Sequence, residues 1–158
     1  DVTHTVEVLD PTHPICAGID PSFTITDEVY LFSVLEADVT PLMRSTHDFN
    51  DTNFYSADLA IRGTRNSNDG WHHPPGSNLV AWTKMVGASP IAYLQFGDGP
   101  QTYADPTYRR ILANAVAWAS RRSHDGGTPS LCRWRATPRT PPRTPVVGRG
   151  TLLAVRHG

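Results

Sequence analysis

Apolar and polar residues alternate in short segments of the first 120 positions, a pattern that predicts strands separated by long loops. His4–Leu9 alternates in this way and is typical of a half-buried strand. Two apolar runs, Leu79–Val86 and Pro90–Phe96, are separated by Gly87 and Ser89, which favours a β-hairpin. Further strands are predicted at Glu28–Val34, Val39–Arg44 and Ala57–Arg62.

Prolines and glycines predict where these strands are interrupted. Residues 10–22 contain three prolines and one glycine, which predicts a connection made of turns. Pro41 places the strand at Val39–Arg44 at a sheet edge, or else marks its first residues, because proline has no N–H to donate to a central ladder. Residues 45–78 are rich in Asn and Gly and predict a long loop around the short strand at Ala57–Arg62.

One amphipathic helix is predicted at the end of this region. Asp105 is a suitable N-cap, and Pro106 suits the first helical position. Arg121 and Arg122 suit the last turn, where positive charge is favourable. The apolar face repeats at helical spacing and consists of Tyr108, Ile111, Leu112, Ala115, Val116 and Ala119.

Charge divides the chain near residue 120. Residues 1–120 hold 14 of the 15 acidic residues and 6 of the 14 basic ones, whereas the remaining residues hold eight arginines and Asp125. Residues 123–158 are rich in Pro, Arg and Thr and have no apolar period, which predicts a disordered tail. The alternative is that the arginines form an arm that binds phosphate groups. Aromatic residues between the arginines would favour nucleic acid binding, but Trp134 is the only one in this segment. We therefore do not expect a nucleic acid partner.

Several classes of protein are not indicated. No run approaches the roughly 20 apolar residues of a membrane span, so we expect no membrane partner. Cys16 and Cys132 are too few for a disulfide framework. The chain contains no CxxC or HExxH motif, which would predict a metal site. It also contains no GxGxxG or GxxxxGK[ST] motif, which would predict a nucleotide cofactor. We therefore expect no cofactor.

The first ten residues bear on whether the chain is a piece of a longer protein. DVTHTVEVLD has neither an initiator Met nor the basic and apolar regions of a signal peptide. We interpret the chain as a piece of a longer protein, either cytoplasmic or exported, and its compartment stays open.

Four segments in sequence order resemble the second half of a ThuA-like domain, the trehalose-utilisation family. They are THPICAGI, TDEVYLF, PGSNLVAWTKMVG and YLQFGDGPQTYADPTYRRILANAVAWA. The resemblance covers residues 2–120 and implies an α/β fold with a partial flavodoxin-like sheet, like that of class I glutamine amidotransferases. It implies a domain at residues 1–122, followed by the tail. The missing N-terminal half of the domain, or a second copy of the chain, would complete the sheet.

The resemblance also implies a small-molecule sugar as ligand. The residues that it places in the pocket are His13, Glu28, Tyr30, Asp98 and Gln101. Asp98 and Gln101 stand where ThuA-like proteins commonly carry His and a nearby Glu. An aspartate needs strong desolvation to act as a base near neutral pH, and a glutamine does not titrate. Either the chemistry differs here or this copy is inactive, so no catalytic residue is assigned.

The residues themselves leave alternatives for each candidate. Asp27 and Glu28 would point to opposite faces of an extended segment, one lining a pocket and the other solvated, with Tyr30 on the side of Glu28. His13 either lines the site or ties down its loop, and Asp98 either contacts a ligand or serves a turn. Cys16 does not suit a nucleophile, because no helix follows its proline-rich loop.

Two functions follow. The first is a domain of carbohydrate utilisation that acts on a disaccharide or an oxidised sugar in an unspecified reaction. The second is a non-catalytic sugar-binding or structural module within a larger multidomain protein. Whether the chain is an enzyme is left open.

Overall fold

The computed structural model describes residues 1–120, which form one five-stranded sheet with helices packed against it. Residues 121–158 lie outside the described part, as do the predicted domain boundary at 122 and the predicted disordered tail at 123–158. The order of strands across the sheet is β2-β1-β3-β4-β5. The strands are β1 (Val2–Val8), β2 (Ser22–Asp27), β3 (Thr40–Ser45), β4 (Leu79–Val86) and β5 (Ser89–Leu94).

Three α-helices and three single 3-10 turns complete the described fold. The long helix is α3, Pro106–Ala119, and the two short ones are α1, Ala57–Ile61, and α2, Pro100–Ala104. The 3-10 turns are Pro14–Cys16, Glu36–Asp38 and Asp51–Asn53.

The best-patterned predictions are confirmed. The predicted strand Leu79–Val86 has the bounds of β4, and β5 lies within two residues of its prediction. Helix α3 starts at Pro106 as predicted, and the Asp105 side chain accepts a hydrogen bond from the Tyr108 N–H at 2.8 Å. These segments carry both a clear period and a local start signal, which is why the pattern sufficed.

Two strand predictions are wrong. Glu28–Val34 is not a strand, because the chain pairs with β1 one segment earlier, along Ser22–Asp27, and leaves the sheet at Glu28. Ala57–Arg62 is helical over most of its length. The Ser56 hydroxyl caps this helix at the Leu59 N–H (3.3 Å), and Arg62 pairs with Asp58 one turn earlier. The cap favours a helix here, and it outweighs the short apolar run that predicted a strand.

Mixed α/β structure is confirmed, but the flavodoxin-like sheet is not. All four pairs of neighbouring strands are antiparallel. A parallel pair needs a crossover connection of a dozen or more residues, usually a helix. Here α3 follows the last strand and joins no two strands of residues 1–120, and β4 and β5 are joined by a tight hairpin.

Pro41 lies at the start of β3, which is the central strand and not an edge. Pairing between β3 and β1 extends from Ser45 to Met43, so Pro41 lies beyond it and faces Trp82 of β4 alone. Register shifts flank Met43. The missing proline N–H therefore costs no hydrogen bond to β1, and of the two alternatives the strand start is confirmed.

Helix α3 is held against the sheet by apolar packing and by one side-chain clamp. Tyr108, Ile111 and Ala115 of α3 are buried in the core. The Asn114 amide donates to the carbonyl oxygens of Ile15 and Ala17, at 3.0 Å each. This clamp fixes the connection between β1 and β2 on the helix.

Two isoleucines allow a matched test of this packing. We expect Ile111→Ala to lower the free energy of unfolding by about 2–5 kcal/mol, because the Ile111 side chain is fully buried and its removal leaves a cavity. Ile61→Ala, at a position that is 83% exposed, should change it by less than about 0.5 kcal/mol. Urea unfolding of both variants measures the difference, and equal losses would contradict the packing described here.

Candidate functional site

The candidate site is built around the buried carboxylate of Asp27, the last residue of β2. Its Oδ2 accepts a hydrogen bond from the Gly97 N–H at 2.6 Å, and its Oδ1 accepts from the N–H groups of Glu28 at 2.9 Å and Asp98 at 3.3 Å. Asp27 is fully buried. A buried carboxylate needs such partners, and bonds to a charged acceptor are stronger than neutral ones. Asp27 thus joins the end of β2 to the turn after β5.

Gly97 makes this close approach possible. Its φ of +119° is strained for any residue with a side chain, and a Cβ atom there would lie 2.5 Å from the Tyr108 hydroxyl oxygen. The Tyr103 ring meets that of Tyr108 edge-on, with their centroids 5.4 Å apart. Burial raises the pKa of Tyr108 to about 12, with a further contribution from the Tyr103 hydroxyl. Two phenols therefore border the turn, and Tyr103 is half exposed.

Glu28 and Tyr30 meet, as their spacing predicted, although the segment is not a strand. The Tyr30 hydroxyl donates to Glu28 Oε2 at 2.8 Å. Burial raises the pKa of Tyr30, and so do its hydrogen bond to Glu28 and the negative charges of Glu28, Asp98 and Asp27. The phenol is therefore a stable hydrogen-bond donor at neutral pH. The expectation that one of the adjacent carboxylates is solvated is wrong, because Asp27 and Glu28 are both buried.

Asp98 and Gln101 lie on the exposed side of the same region. The Asp98 backbone is fixed by Asp27, and its side chain is exposed near the Tyr30 phenol. Gln101 is in the first turn of α2, and its Nε2 donates to Asp1 Oδ2 at 3.1 Å. We call Asp27, Glu28, Tyr30 and Asp98 the carboxylate cluster, with Gln101 beside it.

His13 is not brought to this cluster. It lies in the connection between β1 and β2, at the end of the hairpin opposite the Val2–Asp27 pair. Its Nδ1 accepts a hydrogen bond from the Ile15 N–H at 3.2 Å, and its ring lies 5.4 Å from that of Trp118. Partial burial lowers the pKa of His13. The structure therefore favours the loop-tying alternative for this residue.

Cys16 is buried, and burial raises the pKa of its thiol to about 11. A thiol with so high a pKa is a poor nucleophile at neutral pH. The geometry agrees with the sequence argument against a nucleophilic role.

Sequence analysis missed a buried polar centre at His4. The His47 N–H donates to Ser45 Oγ at 2.9 Å, and Ser45 Oγ lies 2.7 Å from His4 Nδ1. The Ser45 hydroxyl thus joins the His47 backbone to the His4 ring. Burial, followed by the nearby His47, lowers the pKa of His4 to about 4. The signal was present, since His4 shares the buried face of β1 with Val6.

Within residues 1–120 no group of three or more His, Cys, Asp or Glu side chains is placed to hold a metal ion. No helix in that part of the chain is long and apolar enough to span a bilayer.

The family model described as ThuA, trehalose utilisation, matches residues 1–119. The chain belongs to the ThuA family. The resemblance noted from the four sequence segments is thereby confirmed. A search of curated proteins gave no match. The ThuA match ends at the last residue of α3 and includes the whole carboxylate cluster.

The low pKa of His4 predicts acid sensitivity. Between pH 6.5 and about 4 the unfolded chain binds a proton at His4 that the folded chain does not, so stability is full above pH 6.5 and falls as the pH drops through this window. From pH 7 to pH 5 we expect a loss of roughly 2 kcal/mol from this group. Urea unfolding at both pH values measures it. Over the same pH range, the free energy of unfolding of a His4→Gln variant should fall by roughly 2 kcal/mol less than that of the unchanged protein. An equal fall in both proteins would contradict the lowered pKa of His4.

Two matched substitutions separate the structural role of the buried Asp27 carboxylate from the role of the exposed Asp98 carboxylate. Asp27→Asn replaces one acceptor oxygen with an NH₂ group that faces backbone donors, and should lower the free energy of unfolding by about 1.5–3 kcal/mol. Asp98→Asn, the matched change at an exposed position, should alter it by less than about 0.5 kcal/mol. Chemical denaturation of both proteins tests this, and a large loss from Asp98→Asn would show that the roles are reversed.

Proposed function

We propose that this ThuA domain serves carbohydrate utilisation by binding a disaccharide or an oxidised sugar at the carboxylate cluster. The observation that carries the proposal is the Tyr30 hydroxyl, which donates to Glu28 at 2.8 Å beside the exposed carboxylate of Asp98. Sugar hydroxyls both donate and accept hydrogen bonds, so they require donors and acceptors held close together. The Asp98 carboxylate and the Tyr30 phenol oxygen supply acceptors, and the second N–H of the Gln101 side-chain amide beside the cluster supplies a donor.

The cluster is held in place before a ligand arrives. Asp27 fixes the backbone of Glu28, Gly97 and Asp98, which belong to two separate segments of the chain. Groups that are already ordered lose less conformational entropy on binding. Gln101 and the half-exposed ring of Tyr103 lie next to the turn and extend the polar and aromatic surface.

The chemistry of the cluster favours binding over proton transfer, which supports the non-catalytic module as the second candidate. Tyr30 keeps its proton at neutral pH, and Glu28 is already paired with it. A general base works best when its pKa lies near the working pH. Asp98 stands where ThuA-like proteins commonly carry a histidine, and His13 and His4 lie elsewhere in the described fold.

Calorimetry on the full chain with trehalose and with lactobionate, an oxidised disaccharide, tests the proposal. Tyr30→Phe and Asp98→Asn should each weaken binding about 5- to 10-fold, the effect of one lost hydrogen bond. Asp20→Asn is the matched control, because Asp20 is in the connection at the opposite end of the β1–β2 hairpin.

The outcomes separate the two candidates. Binding that both cluster variants weaken, together with conversion of the sugar detected by mass spectrometry, supports an enzyme. The same binding without conversion supports the module. Absence of binding to both sugars, or binding that the Asp20 control weakens equally, would overturn the site.

A further inference from the structure

The carboxylate cluster has three acidic side chains and no basic one. Asp27, Glu28 and Asp98 lie around the Tyr30 phenol, and within residues 1–120 the charges that act on this phenol are those three negative ones. Asp98 is exposed, whereas Asp27 and Glu28 are buried, where solvent and salt screen a charge less. A ligand that approaches the cluster therefore meets a negative potential.

The lysine and arginine side chains of residues 1–120 lie elsewhere. Three of the six form ion pairs with other carboxylates, namely Arg44 with Glu7, Arg62 with Asp58 and Lys84 with Asp38. Arg110 lies against Gly18, in the connection at the end of the β1–β2 hairpin opposite Asp27. Arg65 and Arg109 are exposed, and neither is among the charges that act on Tyr30. This part of the chain therefore places no cation to receive a carboxylate of a ligand.

A second feature beside the cluster is the aromatic ring of Tyr103. The ring packs edge-on against that of Tyr108, with their centroids 5.4 Å apart, and the two hydroxyl groups are hydrogen-bonded. These contacts hold the ring next to Gly97, yet Tyr103 is 53% exposed. An aromatic ring buries a large apolar area when a ligand packs on it, and this contact gives binding energy to a ligand that has no charge.

We propose that this site selects an uncharged sugar and excludes sugar acids, with Asp98 as the residue that discriminates between them and Tyr103 as the surface on which a pyranose ring packs. The inference rests on the proposed function, because it concerns the ligand of the same cluster. An oxidised sugar is then a ligand only where its oxidised carbon bears no carboxylate.

Asp98 discriminates because it is the exposed carboxylate of the cluster. A sugar hydroxyl donates a hydrogen bond to such a carboxylate, and bonds to a charged acceptor are stronger than neutral ones. A ligand carboxylate in the same place has no proton to donate and is repelled by the like charge. Attraction of one ligand and repulsion of the other act through the same side chain, which is how a site gains specificity.

Calorimetry on the full 158-residue chain with trehalose and with trehaluronate tests the proposal. Trehaluronate is trehalose in which one CH₂OH group is oxidised to a carboxylate, so the two ligands differ mainly in charge. At low ionic strength we expect trehaluronate to bind about tenfold more weakly or worse. The ratio of the two Kd values should fall in about 0.5 M salt, because salt screens the repulsion.

The Asp98→Asn variant tests the source of the discrimination. It should reduce the Kd ratio about 2- to 5-fold, because it removes the exposed charge and keeps the shape of the side chain. A merely structural role for Asp98 would weaken both ligands equally and leave the ratio unchanged. Asp20→Asn is the matched control and should also leave it unchanged, because Asp20 is at the opposite end of the β1–β2 hairpin.

Two substitutions of Tyr103 test the packing surface. Tyr103→Leu should weaken trehalose binding about 3- to 10-fold, whereas Tyr103→Phe keeps the ring and should bind nearly as well as the unchanged protein. Circular dichroism confirms that each variant folds. Equal binding by the two variants would remove Tyr103 from the site.

The outcomes separate this inference from the proposed function. Trehaluronate that binds as tightly as trehalose, or a Kd ratio that Asp98→Asn leaves unchanged, would overturn the inference and leave the sugar site in place. Equal binding would require a cation at the site, for which the chain offers the eight arginines after residue 120. Absence of binding to both sugars would overturn the inference together with the proposed function.

Discussion

The hydrogen bonds of the buried Asp27 carboxylate join the two distant segments of the chain that form the proposed sugar site. This side chain lies at the end of β2, yet it accepts hydrogen bonds from the backbone that follows β5. β2 and β5 are the two edge strands of the sheet, so this contact brings the end of one edge strand to the end of the other. A buried charge without partners would cost several kcal/mol, and the three amides remove most of that cost. The position of Asp98 next to Tyr30 and Glu28 depends on this contact.

The described fold contains two buried polar centres of different character. At Asp27 the carboxylate accepts hydrogen bonds from three backbone N–H groups, and the neighbouring Asp98 side chain is exposed. At His4 burial favours the neutral form, and the ring is hydrogen-bonded to the buried Ser45 hydroxyl. The first centre therefore lies next to an exposed side chain, whereas His4 and Ser45 of the second are both buried. Perturbed and buried polar groups occur in structural networks as well as in functional sites, so burial alone does not distinguish the two centres.

The same sheet that orders the site leaves β5 open. The β4–β5 hairpin brings apolar side chains against α3, but one α-helix and one edge strand do not close the space between them. Val116 lies on the predicted apolar face of α3 and is nevertheless mostly exposed. An apolar face predicted from periodicity thus contains more residues than the described core buries. The apolar surface between β5 and α3 is therefore only partly covered within residues 1–120.

Local signals in the sequence determined the elements that need no distant partner. The cap and first residues of α3, the bounds of β4 and the meeting of Glu28 with Tyr30 all follow from spacings of a few residues. The tertiary structure decided everything that depends on contacts between distant segments. Which segment paired with β1, the antiparallel order of the sheet, the burial of Asp27 and the separation of His13 from the cluster are of this kind. Periodicity records which side of a segment is buried, but it carries no information about which other segment buries it. A hydrogen bond between residues 70 positions apart, such as that from Gly97 to Asp27, leaves no trace in either local pattern.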